Sequence, residues 1–146
     1  SSAREQAPFE RVGALAQLSE VIGWADYVIN LLPDTPTTHD VYDAALFAQM
    51  QPHAVFINAG RGAAVVDEAL VAALEVGQLA AAVIDVCRQE PLPADHAFWY
   101  APNLLLTGHS SAPTDPQQML ELFIENVAHW CRAEPLRGEV DFARGY

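Results

Sequence analysis

Positive charge is scarce in this sequence: 7 Lys and Arg stand against 19 Asp and Glu in 146 residues, a formal net charge of −12 at pH 7. Nucleic-acid phosphates reward clustered Lys and Arg, so a nucleic-acid partner is excluded. An anionic substrate must then be drawn by local positive charge and not by the overall field. Cysteine is nearly absent. Cys87 and Cys131 lie far apart with no C-x-x-C spacing. That argues against a disulfide framework, predicts no metal site and fits free structural thiols in a reducing, cytoplasmic compartment. Long apolar runs are missing as well. None approaches the roughly 20 residues that span a bilayer, and the first residues do not read as a signal peptide. No membrane partner is expected. There is no internal repeat and no low-complexity segment. What is present is a 51% hydrophobic content, enough for one core in a chain of this length.

Short continuous apolar runs alternate with helical patterns. Residues 14–25 carry Leu15, Leu18 and Ile22 on one side of a predicted helix. Residues 27–32 read as a buried strand stopped by Pro33, and residues 33–40 as a turn-rich loop. One or two short helices are expected over residues 41–50, ending near Pro52. Further strands are predicted over 55–57, 81–86 and 104–106, with a helix from residue 67 to about 75 that Gly77 caps. Asp115 and Pro116 look like an N-cap and first-turn proline. They open a long amphipathic helix from residue 117 to about 132. Such alternation predicts an α/β protein whose parallel sheet is covered on both faces.

Three polar loops follow these strands, where ligands bind in open α/β sheets. The first, in INAGRG (residues 57–62), carries Arg61 between Gly60 and Gly62. A guanidinium can hold a carboxylate through two parallel hydrogen bonds and stabilise charge growing on a neighbouring carbonyl oxygen. Most loop arginines are merely solvated; the flanking glycines, which let backbone approach a ligand, favour function here. LTGHSSAPT (106–114) carries His109, a candidate proton donor to an alkoxide. His39, His53, His96 and His129 suit solvated or satisfied roles. IDVCRQEPLP (84–93) carries Glu90, which could fix the tautomer of a histidine. Taken alone, Glu90 before Pro91 fits any exposed turn. Trp24 and Trp130 fall on helices and read as core or interface, whereas Trp99 could wall the site or simply pack.

These three ordered strings resemble the signature segments of the D-isomer-specific 2-hydroxyacid dehydrogenases, and the ending GEVDFARGY is similar to that of the glyoxylate/hydroxypyruvate reductase branch. With QEPLP in register between the other two motifs, Glu90 takes the functional role. The resemblance implies the second half of a Rossmann-type parallel sheet with flanking helices, plus a C-terminal helix and tail returning to the substrate domain. It divides the chain into residues 1–114, in the nucleotide domain, and residues 115–146. It implies NAD or NADP as cofactor, with NADPH favoured by the branch, a small 2-oxo or 2-hydroxy acid as substrate, and a homodimer. Arg61, Glu90 and His109 would be catalytic. Leu32, Pro33, Ala59, Gly60, Arg61, Asp85, His109 and Ser111 would meet the cofactor. Asp85 would hold the nicotinamide carboxamide, or else cap backbone amides of its own loop.

The family pattern is departed from in places. Gly108 stands where proline usually precedes the histidine. Ser110, Ser111 and Ala112 replace a more usual glycine-bearing stretch. No G-x-G-x-x-G occurs, since Val65 stands where a third glycine would follow Gly60 and Gly62. The chain is therefore expected to be the C-terminal portion of a longer enzyme. Arg4, with Ser1 and Ser2, is either a remnant of the loop meeting the adenosine ribose, where a basic residue would favour NADP, or, as is commoner, a lone arginine without a role. The alternative is a non-catalytic nucleotide-sensing or protein-binding module, which has no physical need for all three catalytic residues. A formate-type dehydrogenase is disfavoured, because it needs no carboxylate behind the histidine.

Overall fold

A computed structural model of the chain describes residues 9–10 and 12–143. The expectations for Ser1, Ser2 and Arg4, and for the last three residues of the tail, lie outside these. Four strands form one parallel sheet: β1 (Tyr27–Asn30), β2 (Val55–Asn58), β3 (Ala81–Ile84) and β4 (Leu104–Leu106), in that spatial order. Helix α1 (Leu18–Ile22) precedes β1, α2 (Ala44–Phe47) and α3 (Asp67–Glu75) follow β1 and β2, and α4 (Pro116–Cys131) follows β4.

Local chemistry explains most boundaries. The helix expected over residues 14–25 is realised as a 3-10 turn, Leu15–Gln17, running into α1, which ends early at Gly23. Residues 41–50 yield the single helix α2, whose N-cap Asp43 accepts the Leu46 amide at 2.8 Å. Acidic Asp67 and Glu68 occupy the first turn of α3, complementing its dipole. Its end is a Schellman motif. Gln78 donates to the Ala73 carbonyl and Gly77 to that of Leu74, with Gly77 at φ +70°. Asp115 caps α4 through the Gln117 amide at 2.9 Å.

The core sits on one side of the sheet. Val28, Phe56, Ala82 and Ile84 point into it and meet Phe47 of α2 and Leu70 of α3. Phe56 packs edge-on to Phe47 at 5.3 Å and against Tyr42 at 4.8 Å, contacts that add to their burial. The other face is open: Tyr27, Ile29 and Leu105 are more than half exposed. Coverage on both faces is thus corrected. The apolar strands do call for two covers, but burial alternates along β1, and the described residues close only one side. Helix α4 buries no residue and exposes Leu120, Phe123, Ile124, Val127 and Trp130 along one stripe. Trp24 and Trp130, 67% and 75% exposed, are not core residues.

Candidate active site

Strand register sets the geometry. Asn30 pairs with Asn58, Asn58 with Ile84, and Ile84 with Leu106, so the four strands finish in one row. Arg61 follows three residues after that row on β2, Glu90 six after it on β3, and His109 three after it on β4. All three stand at the carboxyl edge of the same sheet.

Glu90 and His109 are in contact. His109 Nδ1 lies 2.9 Å from Glu90 Oε2, while Glu90 Oε1 accepts the Cys87 amide at 2.9 Å. The hydrogen bond from His109, and after it the Cys87 amide, holds the Glu90 carboxyl below its ordinary value. An ionised carboxylate only accepts, so the proton of this bond belongs to Nδ1, and Nε2 is left for an external partner. His109 itself has φ +53°, in the left-handed region, and its amide donates to the Asp85 carbonyl at 2.9 Å. Burial, reinforced by the Glu90 charge, pushes the Cys87 thiol up to about 11. The sulfur beside the pair is therefore a thiol at neutral pH and not a nucleophile.

Asp85 caps the backbone of the following loop, one of the two roles expected of it. Its Oδ1 accepts the Thr107 hydroxyl and, at 3.0 Å, the Ser110 amide; Oδ2 accepts the Ser111 amide at 2.9 Å. These bonds, the Thr107 hydroxyl first, hold the carboxyl well below the usual carboxylate range. The Ser111 amide is correspondingly taken up inside the loop. Asp85 thus moulds the turn that presents His109.

Arg61 is exposed, and its Nη1 donates to the Gly60 carbonyl at 2.7 Å. It borders a cleft of about 620 Å³ that also touches Leu31, Leu32, Pro33, Thr35 and Thr38. The neighbouring glycines have a packing reason that the sequence did not show. A Cβ on Gly60 would stand 2.9 Å from backbone atoms of Leu32, and one on Gly62 2.1 Å from the Cys87 carbonyl carbon. Glycine is required there because adjacent strand-end loops meet backbone to backbone.

Two further residues organise this edge. Asn30 and Asn58 are 0% and 1% exposed, and Asn30 Nδ2 donates to Asn58 Oδ1 at 2.8 Å. Asn30 Oδ1 accepts the Leu32 amide and Asn58 Oδ1 the Gly60 amide. Sequence reasoning passed over both, although each is a lone polar residue closing an apolar strand. Arg88, also passed over, ties its guanidinium to Asp40 and to the Val65 carbonyl. The other histidines are satisfied elsewhere: His39 by Asp34, His53 by Asp26, His96 by Asp67 and His129 by the Pro135 carbonyl.

The donor set bears on what could bind. Amides of Leu32, Ala59 and Gly60 are engaged within the protein. These amides are therefore not free to grip a phosphate, and beside the Arg61 guanidinium the loops offer apolar side chains that suit the flat ring of a nicotinamide. Among the described residues no group of His, Cys, Asp or Glu could hold a metal ion, and no helix is long and apolar enough to cross a membrane.

Comparison with known proteins gives a consistent picture. Glyoxylate/hydroxypyruvate reductase A of Klebsiella pneumoniae (strain 342) is 37% identical over 131 residues, covering 90% of this chain and 42% of that protein. A D-isomer specific 2-hydroxyacid dehydrogenase family protein from Aeromonas salmonicida superposes with a TM-score of 0.88 at 40% identity, over 95% of this chain and 45% of the other. The NADPH-dependent glyoxylate/hydroxypyruvate reductase of Sinorhizobium meliloti, solved with NADP and sulfate, gives 0.87 at 33% identity, over 98% and 48%. The chain thus spans about two fifths of the length of the curated relatives it matches. The model of the D-isomer specific 2-hydroxyacid dehydrogenase NAD binding domain matches residues 1–111, and with this agreement of sequence and fold the chain belongs to that family.

Proposed function

We propose that this chain, as the C-terminal part of a longer enzyme, serves the NAD(P)-dependent reduction of a small 2-oxo acid of the glyoxylate or hydroxypyruvate class. The observation that carries this is the Glu90–His109 contact of 2.9 Å at the sheet edge that also bears Arg61. Arg61 holds the substrate carboxylate and faces the oxygen on which charge develops. His109 Nε2 delivers a proton to that oxygen, and Glu90 keeps the ring oriented through Nδ1. Bound NAD(P)H supplies the hydride. Leu32, Pro33, Ala59 and Gly60 would flank the nicotinamide, with Asp85 and Ser111 acting through the shape of the His109 turn. The pyrophosphate grip would come from outside this chain, since no G-x-G-x-x-G is present.

NADPH is the favoured cofactor, because similar structures were solved with NADP or NADPH. Residues 1–114 would belong to the nucleotide domain, with residues 115–146 forming a linking helix and a tail of the substrate domain. The open sheet face and the stripe on α4 suit a homodimer, and the free thiols suit the cytoplasm.

The test is steady-state glyoxylate reduction by the intact enzyme. Arg61→Ala should chiefly raise KM for glyoxylate, and His109→Ala should lower kcat by about 10²–10⁴-fold. A His109→Ala enzyme with unchanged kcat would remove the acid–base role.

A further inference from the structure

Asn58 uses its whole hydrogen-bonding capacity. Oδ1 accepts from Asn30 Nδ2 at 2.8 Å and from the Gly60 amide at 3.2 Å. Nδ2 donates to the carbonyls of Arg61 at 3.2 Å and Val86 at 3.4 Å. Its orientation is fixed by these partners, since rotating the amide would set Nδ2 against two donors and Oδ1 against two acceptors. No other short side chain serves both sides. Aspartate has nothing to donate to the two carbonyls, and serine has one proton for both. The neighbouring Asn30 is equally buried, and its Oδ1 accepts the Leu32 amide at 3.1 Å.

The bonds run across three strand ends. They join the Leu32 loop after β1, the Gly60–Arg61 turn after β2 and Val86 after β3, one residue before the Cys87 amide that holds Glu90. Arg61 is exposed and, among the described residues, its side chain is anchored only to its own turn. Its placement therefore depends on its backbone, which is held by Asn58 on one side and by the close approach of Gly62 to Cys87 on the other.

We propose that Asn58 is a positioning residue for Arg61, and that Asn30 couples it to the Leu32–Pro33 loop, so that the substrate arginine and the nicotinamide wall of the cleft are set as one unit. This rests on the reductase reading of Arg61. A buried amide pair that served stability alone would act independently of the guanidinium, and that difference is measurable.

The experiment is a double-mutant cycle in the intact enzyme, with kcat and KM for glyoxylate read for Asn58→Ser, Arg61→Ala and both together. A loop misplaced by about 1 Å costs on the order of 10²-fold, so Asn58→Ser should lower kcat/KM about 10- to 100-fold. In the Arg61→Ala background the same change should add less than about twofold, the spread expected of independent sites. A full further loss in that background overturns the proposal while leaving the reductase reading intact. If Arg61→Ala itself leaves kcat/KM unchanged, that reading fails and takes the proposal with it. Should Asn58→Ser not fold, hydrogen exchange decides. The Leu32 and Gly60 amides should be protected in the wild-type enzyme, and Asn30→Ser should speed exchange at both. Exchange at Gly60 unaffected by Asn30→Ser would show that the two loops are not coupled.

Discussion

Gly62→Ala is the substitution whose consequence can be worked most directly from the structure. The added Cβ would stand 2.1 Å from the Cys87 carbonyl carbon, 2.2 Å from the Arg88 nitrogen and 2.3 Å from the Cys87 oxygen. Ordinary contact begins at 3.4 Å, so the two segments must part by about 1.3 Å. All three atoms are backbone, and no rotamer change can relieve them. Overpacking of this kind costs about 1–3 kcal/mol, and the rigidity of both partners puts this case near about 3 kcal/mol. Function should suffer with stability. The displaced segment includes the Cys87 amide that holds Glu90, and the other partner carries Arg61. A shift of about 1 Å between such groups is worth on the order of 10²-fold in rate. The assays are chemical denaturation and glyoxylate kcat/KM in the intact enzyme. Gly108→Ala serves as the stability control, because its Cβ would meet nothing within 4 Å. A Gly62→Ala enzyme within about 0.5 kcal/mol of wild type, with unchanged kcat/KM, would refute the claim that this glycine sets the spacing of the two loops.

Two further outcomes are expected. The Asp85 carboxyl is held well below the usual range, so its contribution to stability is full above about pH 4, its unfolded value, and is lost as pH falls through the lower folded value. At about pH 3 wild type should take up close to one more proton on unfolding than Asp85→Asn, as read from denaturation midpoints against pH; parallel acid limbs would contradict the loop bonds assigned to Asp85. The apolar stripe on α4 and the open sheet face should be covered in the working assembly. Light scattering should therefore give the mass of a dimer for the intact enzyme, whereas a monomer at micromolar concentration would count against the homodimer.

Much of the candidate site's placement was legible because polarity switches sharply where strands end. VFIN passes into AGRG, AAVI into DVCRQE and LLL into TGHSS, and in a parallel sheet those switches fall on one edge. Caps were equally readable, since Asp115 and Gly77 act through local backbone geometry that sequence encodes directly. The Asn30–Asn58 pair was harder to see. Its partners are 28 residues apart, and the pairing exists only once strand register brings the two side chains together. The glycine turn was only half legible for a related reason. Sequence shows that Cβ is missing at Gly60 and Gly62, but only the folded chain shows that neighbouring backbone fills the space a Cβ would take. Apolar strands likewise announce that a sheet needs two covers without saying which polypeptide supplies the second.

The site's polar groups divide by whether their partners lie inside or outside the chain. Leu32, Ala59, Gly60, Ser110 and Ser111 direct their amides inward, to Asn30, Asn58 and Asp85. The Asp85 carboxylate and both carboxamides are likewise committed to these loops. Such fully satisfied networks rigidify what they hold, because each bond broken strands a buried group at a cost of about 1–3 kcal/mol. His109 and Arg61 differ. With Nδ1 engaged by Glu90, the imidazole turns Nε2 outward, and the guanidinium has several donors beyond the one given to Gly60. A rigid inner layer of amides and carboxylates therefore carries two groups with hydrogen-bonding capacity to spare at the same sheet edge, of which Arg61 borders the cleft. That division fits the proposed proton delivery beside a carboxylate held by Arg61, in which the reacting groups would meet substrate while their supports stay still.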